Sequence, residues 1–263
     1  MIPAIVGVIV GLVSFFLMPE TPAFLKRRIA YLQMTDEERA AQNTGKSDDS
    51  NGGVVQALKF IFSHRQMRSV ALCAFIFMAS TGVTTYYESI MKTGGMTTEQ
   101  ITTAMYFIPF VNAVMTAISG FLTDALGRKR SATVLSGIAF LGLTSFILCS
   151  SFGMAPALVG ISYGFFIGGL WSACDILFIM IPGESSPTHL RVSVVGTMSI
   201  MSGAGSVISI ALMTVGMLFV ESIGLLCLCA CVPFLLISII ILATKVKETK
   251  GVDLTTVTGS EWD

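Results

Sequence analysis

Gly120-Phe-Leu-Thr-Asp124-Ala-Leu-Gly127-Arg128-Lys129-Arg130 stands between two apolar runs, 104–122 and 131–151. Each run is close to the roughly 20 residues that a helix needs to cross a bilayer core of about 30 Å. A turn this short joins two antiparallel spans. In it Gly120 lets a neighbouring helix approach, Asp124 places an acceptor at the membrane edge, and Gly127 permits the reversal. Arg128, Lys129 and Arg130 then hold that edge on the side where basic residues collect.

Working outward, five more runs of this kind lie near 2–18, 69–90, 155–181, 194–219 and 223–244. They are broken by Gly and Ser but almost free of charge, without the period-two alternation of a barrel strand. The whole chain is 53% hydrophobic and 12% charged, with a mean hydropathy of +0.79. A soluble domain carries about 25% charged residues, so seven membrane helices are expected. The first run has no basic residue before it and no A-x-A pattern after it, so it reads as a membrane helix rather than a signal peptide. Because Met1 opens directly onto that run, a preceding part is expected outside this chain.

Of the 16 basic residues, eight lie between Lys26 and Arg68, three at 128–130, one at Arg191 and three at Lys245, Lys247 and Lys250. Lys92 alone falls on the other side, so the expected topology is N-terminus outside and C-terminus cytoplasmic, in the cell membrane. In the segment between the first two runs, residues 29–42 read as a short surface helix and 43–53 as a polar, Gly-rich linker. Residues 54–68 mix Val54, Leu58, Ile61 and Phe62 with Lys59, Arg65 and Arg68, as an amphipathic interfacial helix does. Formal charge is zero, so no net field attracts nucleic acid. The six cysteines lack disulfide or zinc spacing, and nothing points to a metal or another cofactor.

The 120–130 stretch resembles the G-x-x-x-D-x-x-G-R-[KR]-[KR] signature of the major facilitator superfamily. Three further stretches resemble signatures of its sugar-porter branch: Pro19-Glu20-Thr21-Pro22-Ala23-Phe24-Leu25, Glu184-Ser-Ser-Pro187-Thr-His-Leu-Arg191 and Lys247-Glu-Thr-Lys250-Gly251. Their order implies helices six to twelve of a twelve-helix carrier, hence an all-α integral membrane fold of seven transmembrane helices. Residues 1–18 would be the sixth helix, 19–68 a cytoplasmic loop between halves, 69–244 the C-terminal six-helix bundle and 245–263 a cytoplasmic tail. The resemblance implies alternating-access transport of a small solute, with no catalytic role. It also implies a cytoplasmic gate of Gly120, Asp124, Gly127, Arg128, Lys129, Arg130, Glu184 and Arg191, and a separate N-terminal half as partner. The sugar-binding Q-Q-x-[ST]-G-I-N pattern of the seventh helix is replaced by Met78-Ala79-Ser80-Thr81-Gly82-Val83-Thr84, so its ligands do not carry over and organic acids compete with sugars as cargo.

Within the spans the acidic residues are Glu88 and Asp175, and an intramembrane charge is costly enough to mark function. Helical counting sets Asp175 within about 20° of the Gly160, Gly164, Gly168 stripe. It reads either as a buried hydrogen-bonder at a helix seam or as a substrate or proton site with Trp171 one turn before it. Thr81, Thr84, Thr85 and Glu88 on one span, and Asn112 and Thr116 on the next, form stripes that either bridge helices or line a cavity for solute and H+. A seven-helix receptor matches the span count but not the loops: the long one follows the first span, and two others carry carrier signatures. No nucleophile–base or carboxylate-pair constellation points to an enzyme.

Overall fold

The computed structural model describes residues 25, 28–29, 32–35, 53–187 and 190–252, in two compact units, 1–52 and 53–263. In the first unit Leu25, Arg28, Ile29, Leu32 and Gln33 are helical and exposed. The expected first span, the linker before Gly53, most of the 29–42 helix and all of the Pro19–Leu25 motif but its last residue lie outside the described residues, as do Thr188 and His189.

The regular structure of the second unit is helical throughout among its described residues, and six of its helical stretches are long and apolar enough to cross a membrane. A short helix α1 (Gly53–Ser63) leads into α2 (Arg65–Met78) and α3 (Val83–Thr93), which together make the first of these spans. Then follow α4 (Thr98–Leu126) and α5 (Arg128–Ser151). The fourth span is α6 (Pro156–Asp175), a π-helical turn (Ile176–Met180) and α7 (Ile181–Ser185) in series. Finally come α8 (Arg191–Gly216) and α9 (Ile223–Lys245). The six agree with the last six runs read from the sequence, with ends that differ by a few residues. Chemistry at the helix ends accounts for some of this. Thr97 caps α4 with Gln100 in a reciprocal capping box, which starts that helix well before the apolar run does.

The spans alternate in direction. Gly160, Gly164 and Gly168 of α6 meet Ala104, Val111 and Met115 of α4 in ascending order, so these two run parallel. Gly142 of α5 meets Phe166, and Gly169 of α6 meets Leu135 and Ala139, which runs α5 the other way. At the α2–α8 seam a Cβ on Gly205 would strike the Phe75 carbonyl oxygen, so small residues here set helix spacing, as membrane packing without a hydrophobic driving force requires. The α6–α7 span is the centre of the bundle, with 67% of its apolar stretch buried, whereas α4 has only 6% buried and is peripheral. Phe77, Phe146, Phe166, Leu135, Leu143 and Leu170 fill the core. Helix α1 is no mere interfacial float: it buries Ala57, Phe60 and Ile61 and packs against α2 and α8.

Candidate functional site

Two polar constructions stand out, one at the end of the bundle that carries the basic loops and one halfway along the spans. At the basic end α4 and α5 share a single linking residue, Gly127, with φ +90°. A side chain is strained at that angle, and a Cβ there would lie 2.7 Å from the Glu248 carboxylate. That carboxylate occupies the N-terminus of α5. It accepts the N–H groups of Arg128 at 2.7 Å and Lys129 at 3.2 Å, and those of Thr249 and Lys250 in its own loop at 3.1 Å each. Partial burial alone would raise its pKa, but the bonds from Arg128, Lys250, Lys129 and Thr249 outweigh it and hold the carboxyl below the usual glutamate range.

Lys250 does the converse at the end of α4, where its Nζ donates to the carbonyls of Asp124 at 2.6 Å and Ala125 at 3.0 Å. An anion on a helix N-terminus and a cation on a helix C-terminus both complement the helix dipoles. The side chain of Arg128 turns the other way. Its Nε pairs with Glu184 Oε1 at 2.7 Å, and the two side chains are only 19% and 18% exposed. The second oxygen of Glu184 accepts the Thr249 hydroxyl at 2.5 Å. Arg191 reaches back to the Ser186 carbonyl at 3.5 Å. The segment 248–250 thereby laces the α4–α5 turn to α7.

Three of the four quoted motifs meet here, with differences from expectation in detail. Asp124 is exposed, its carboxylate makes no ion pair among the described residues, and it contributes its backbone carbonyl instead. Gly120 faces open space, with nothing within 4 Å of an added Cβ, because it lies on the uncovered side of α4. Arg130 is exposed and Lys129 half-buried. The candidate residues read from the sequence do not include Glu248, Thr249 and Lys250, although the Lys247–Gly251 motif contains all three. Its signal was a carboxylate and an ammonium two residues apart, suited to a helix start and a helix end.

Halfway along the first span the helix stops at Met78 and resumes at Val83. Residues 79–82 form a tight turn in which the Ser80 and Thr81 N–H groups bond three residues back, to Phe77 and Met78. The Gly82 N–H donates to Ser209 Oγ of α8 at 2.8 Å, the Thr81 hydroxyl lies 3.3 Å from Ser206 Oγ, and Tyr86 and Thr214 hydroxyls meet at 3.0 Å. Helical counting does not carry Thr81 across such a break, whereas Thr84, Thr85 and Glu88 share α3. Thr81 is buried, Thr84 half-buried, and Thr85 and Glu88 are exposed, with Glu88 paired to Lys92 at 2.7 Å. The α8 hydroxyls that satisfy the break are not among the residues that the sequence singles out.

On α4, Thr116 is exposed and bonds its own helix at the Asn112 carbonyl, while the half-buried Asn112 side chain has its Oδ1 buried without a partner among the described residues. The glycine seam against α4 ends at Gly168, two turns before Asp175. Trp171 is 49% exposed, and Asp175 is exposed too. Asp175 is therefore not a buried seam residue; it stands on an open face, immediately before the π-helical turn.

A polytopic helical membrane protein with an interrupted span and a charge-laced end is the class of molecule these features define. The family model of the Major Facilitator Superfamily matches residues 1–210, and the chain belongs to that superfamily of membrane transporters. No curated protein and no solved structure matches the chain.

Proposed function

We propose that the chain works in secondary active transport of a small polar solute, a sugar, an organic acid or a related metabolite, by proton-coupled alternating access, with its basic end in the cytoplasm. The observation that carries this reading is the network of Arg128, Glu184, Glu248, Thr249 and Lys250. It joins the ends of several spans through polar bonds at the membrane edge, which can open and re-form against water at little net cost. A permanent seam in this bundle is instead made by glycines in backbone contact. In the proposed cycle the network holds the cytoplasmic side shut in one state and parts in the other, biasing a two-state equilibrium.

The open face supports the same reading. Exposed Thr85, Thr116, Trp171 and Asp175 would look onto a solute path shared with a second helical half. A bare carboxylate facing lipid would be expensive, so Asp175 calls for an aqueous cavity. The π-helical turn beside it is a feature often found at functional positions. Asp175 is our first choice for the proton carrier and Glu88, already paired to Lys92, the second. By the resemblance, Met78 and Ala79 stand where sugar porters carry their glutamines, and the absence of those ligands keeps organic acids among the candidate cargoes.

Transport assays on reconstituted vesicles with an imposed proton gradient test this, using a panel of labelled sugars and organic acids. Uphill uptake of one of them is expected. Asp175→Asn should abolish accumulation while leaving exchange down a gradient, since exchange need move no proton. Full accumulation in an Asp175→Asn, Glu88→Gln double variant would remove these residues from coupling. Absence of flux for every solute class, by well-folded protein assembled with the second helical half, would sink the carrier reading itself.

A further inference from the structure

We propose that the groove between α2 and α9 at the basic end binds an anionic phospholipid. Arg65, Lys129, Lys245 and the amide of Gln66 would hold its phosphodiester, and Leu72 and Ile241 would flank an acyl chain. A cavity of about 370 Å³ opens there, lined by Arg65, Gln66, Lys129, Thr244 and Lys245 to Lys247. Through Arg65 and Lys245 it is continuous with a second cavity of about 350 Å³, lined also by Arg68, Ser69, Leu72 and Ile241. The first is a cationic bowl at the membrane edge, and the second runs along the outer surface of two spans. A soluble anion would use only the first; a lipid uses both.

Among the described residues no carboxylate lies within ion-pair distance of Arg65, Arg68, Lys129 or Lys245. Glu248, which borders Lys129, is engaged by the N–H groups of Arg128 to Lys129 and Thr249 to Lys250.

Gln66 supplies an independent pointer. It is 2% exposed and lines the bowl, its Oε1 accepts the Lys247 N–H at 3.3 Å, and its Nε2 is buried with no partner among the described residues. The Lys247 bond fixes which way the amide points. A buried donor left unsatisfied costs about 1–3 kcal/mol, and in a bowl rimmed by cations an anionic oxygen is the acceptor that fits. Basic residues that merely mark the cytoplasmic side would not need that donor. The site does not depend on the transport reading.

Thermal unfolding of the purified full chain in neutral detergent tests the proposal, with phosphatidylglycerol, phosphatidylcholine or inorganic phosphate added. Phosphatidylglycerol should raise the midpoint, and the other two should not. Removing two charges in Arg65→Gln/Lys245→Gln should weaken the phosphatidylglycerol response roughly 30-fold in apparent affinity. Lys59→Gln, which removes a nearby exposed charge outside the groove, should leave it within about twofold by the same short-range electrostatics. Native mass spectrometry of retained lipid gives the same comparison if a variant lowers baseline stability. An equal response to inorganic phosphate, an undiminished response in the double variant, or an equal loss in Lys59→Gln would each overturn the site.

Discussion

At the basic end two carboxylates and two cations meet helix termini and one another across three loops, whereas halfway along the first span a gap of four residues is sealed by neutral hydroxyls and by glycine contact with α8. The two regions solve one problem, that of unsatisfied backbone groups where helices begin and end. They solve it in different solvents. Near water a charged side chain can serve a helix end and still be hydrated when it lets go. Inside the bilayer a charge would be costly, so the orphan Gly82 N–H is matched by Ser209, itself only 1% exposed. The first construction is suited to opening, the second to staying shut.

The largest effect is expected from crowding the middle. Gly205→Ala sets a methyl against the Phe75 carbonyl oxygen, a backbone atom that cannot swing aside. Overpacking of this kind costs about 3 kcal/mol, enough to lower the unfolding midpoint and the yield of folded protein in detergent. Gly120→Ala, on the open side of α4, should be near neutral and serves as its control. Equal stability of the two variants would show that the α2–α8 seam is looser than its contacts indicate.

Next in size is Ser209→Ala, which strips the Gly82 N–H of its acceptor. The expected loss is about 1–2 kcal/mol, between the cost of an orphaned donor and the smaller values measured for hydrogen bonds between membrane helices. Ser206→Ala should cost less, because the Thr81 hydroxyl it would abandon also bonds the Met78 carbonyl at 2.6 Å. A reversed order would mean that the turn is held by Thr81 and not by Gly82.

The same contrast explains what the sequence disclosed. Runs of about 20 apolar residues announce spans because the bilayer leaves few alternatives, and six of the seven correspond to described helices while the first lies outside them. At the basic end Gly127 and the Arg128–Glu184 pairing of two motifs were within reach, since charged and glycine-rich loops are rare against an apolar background. The partners chosen were partly different: Asp124 acts through its carbonyl and Glu248 supplies the carboxylate, a distinction set by which side chain reaches a helix end. In the middle, little was legible. Met78-Ala-Ser-Thr-Gly-Val83 contains no proline and continues an apolar run, so period counting passed straight through the interruption and joined Thr81 to Glu88. What stops the helix is the hydroxyl row of α8, more than a hundred residues away. The two alternatives left open for Asp175 have a similar cause, because an angle on a helical wheel gives a direction but not where the neighbouring helix ends.

The smallest effect, and the one that separates the two regions most cleanly, depends on pH. Glu248 has its pKa depressed in the folded chain by the N–H groups of α5 and of its own loop. A carboxyl with a lowered folded pKa contributes stability that is fully present above its unfolded value of about 4.3 and is lost as the pH falls through the depressed value. The group is largely open to solvent, so its contribution at neutral pH is modest, about 0.3–1 kcal/mol for an anion at an exposed helix N-terminus. Glu248→Gln removes the titration but keeps an acceptor for the Arg128 N–H. Its deficit against the native chain should therefore be constant from pH 7 down to about 5 and shrink toward zero below about 4, as the native carboxyl protonates. High salt should shrink it as well. Ser209→Ala, which removes an uncharged hydroxyl, should show the same deficit at every pH and salt concentration. Unfolding midpoints of the three proteins across that range decide it. Parallel pH curves for Glu248→Gln and the native chain would mean that the carboxylate holds α5 as a neutral acceptor would, and that the basic end is no more charge-dependent than the middle.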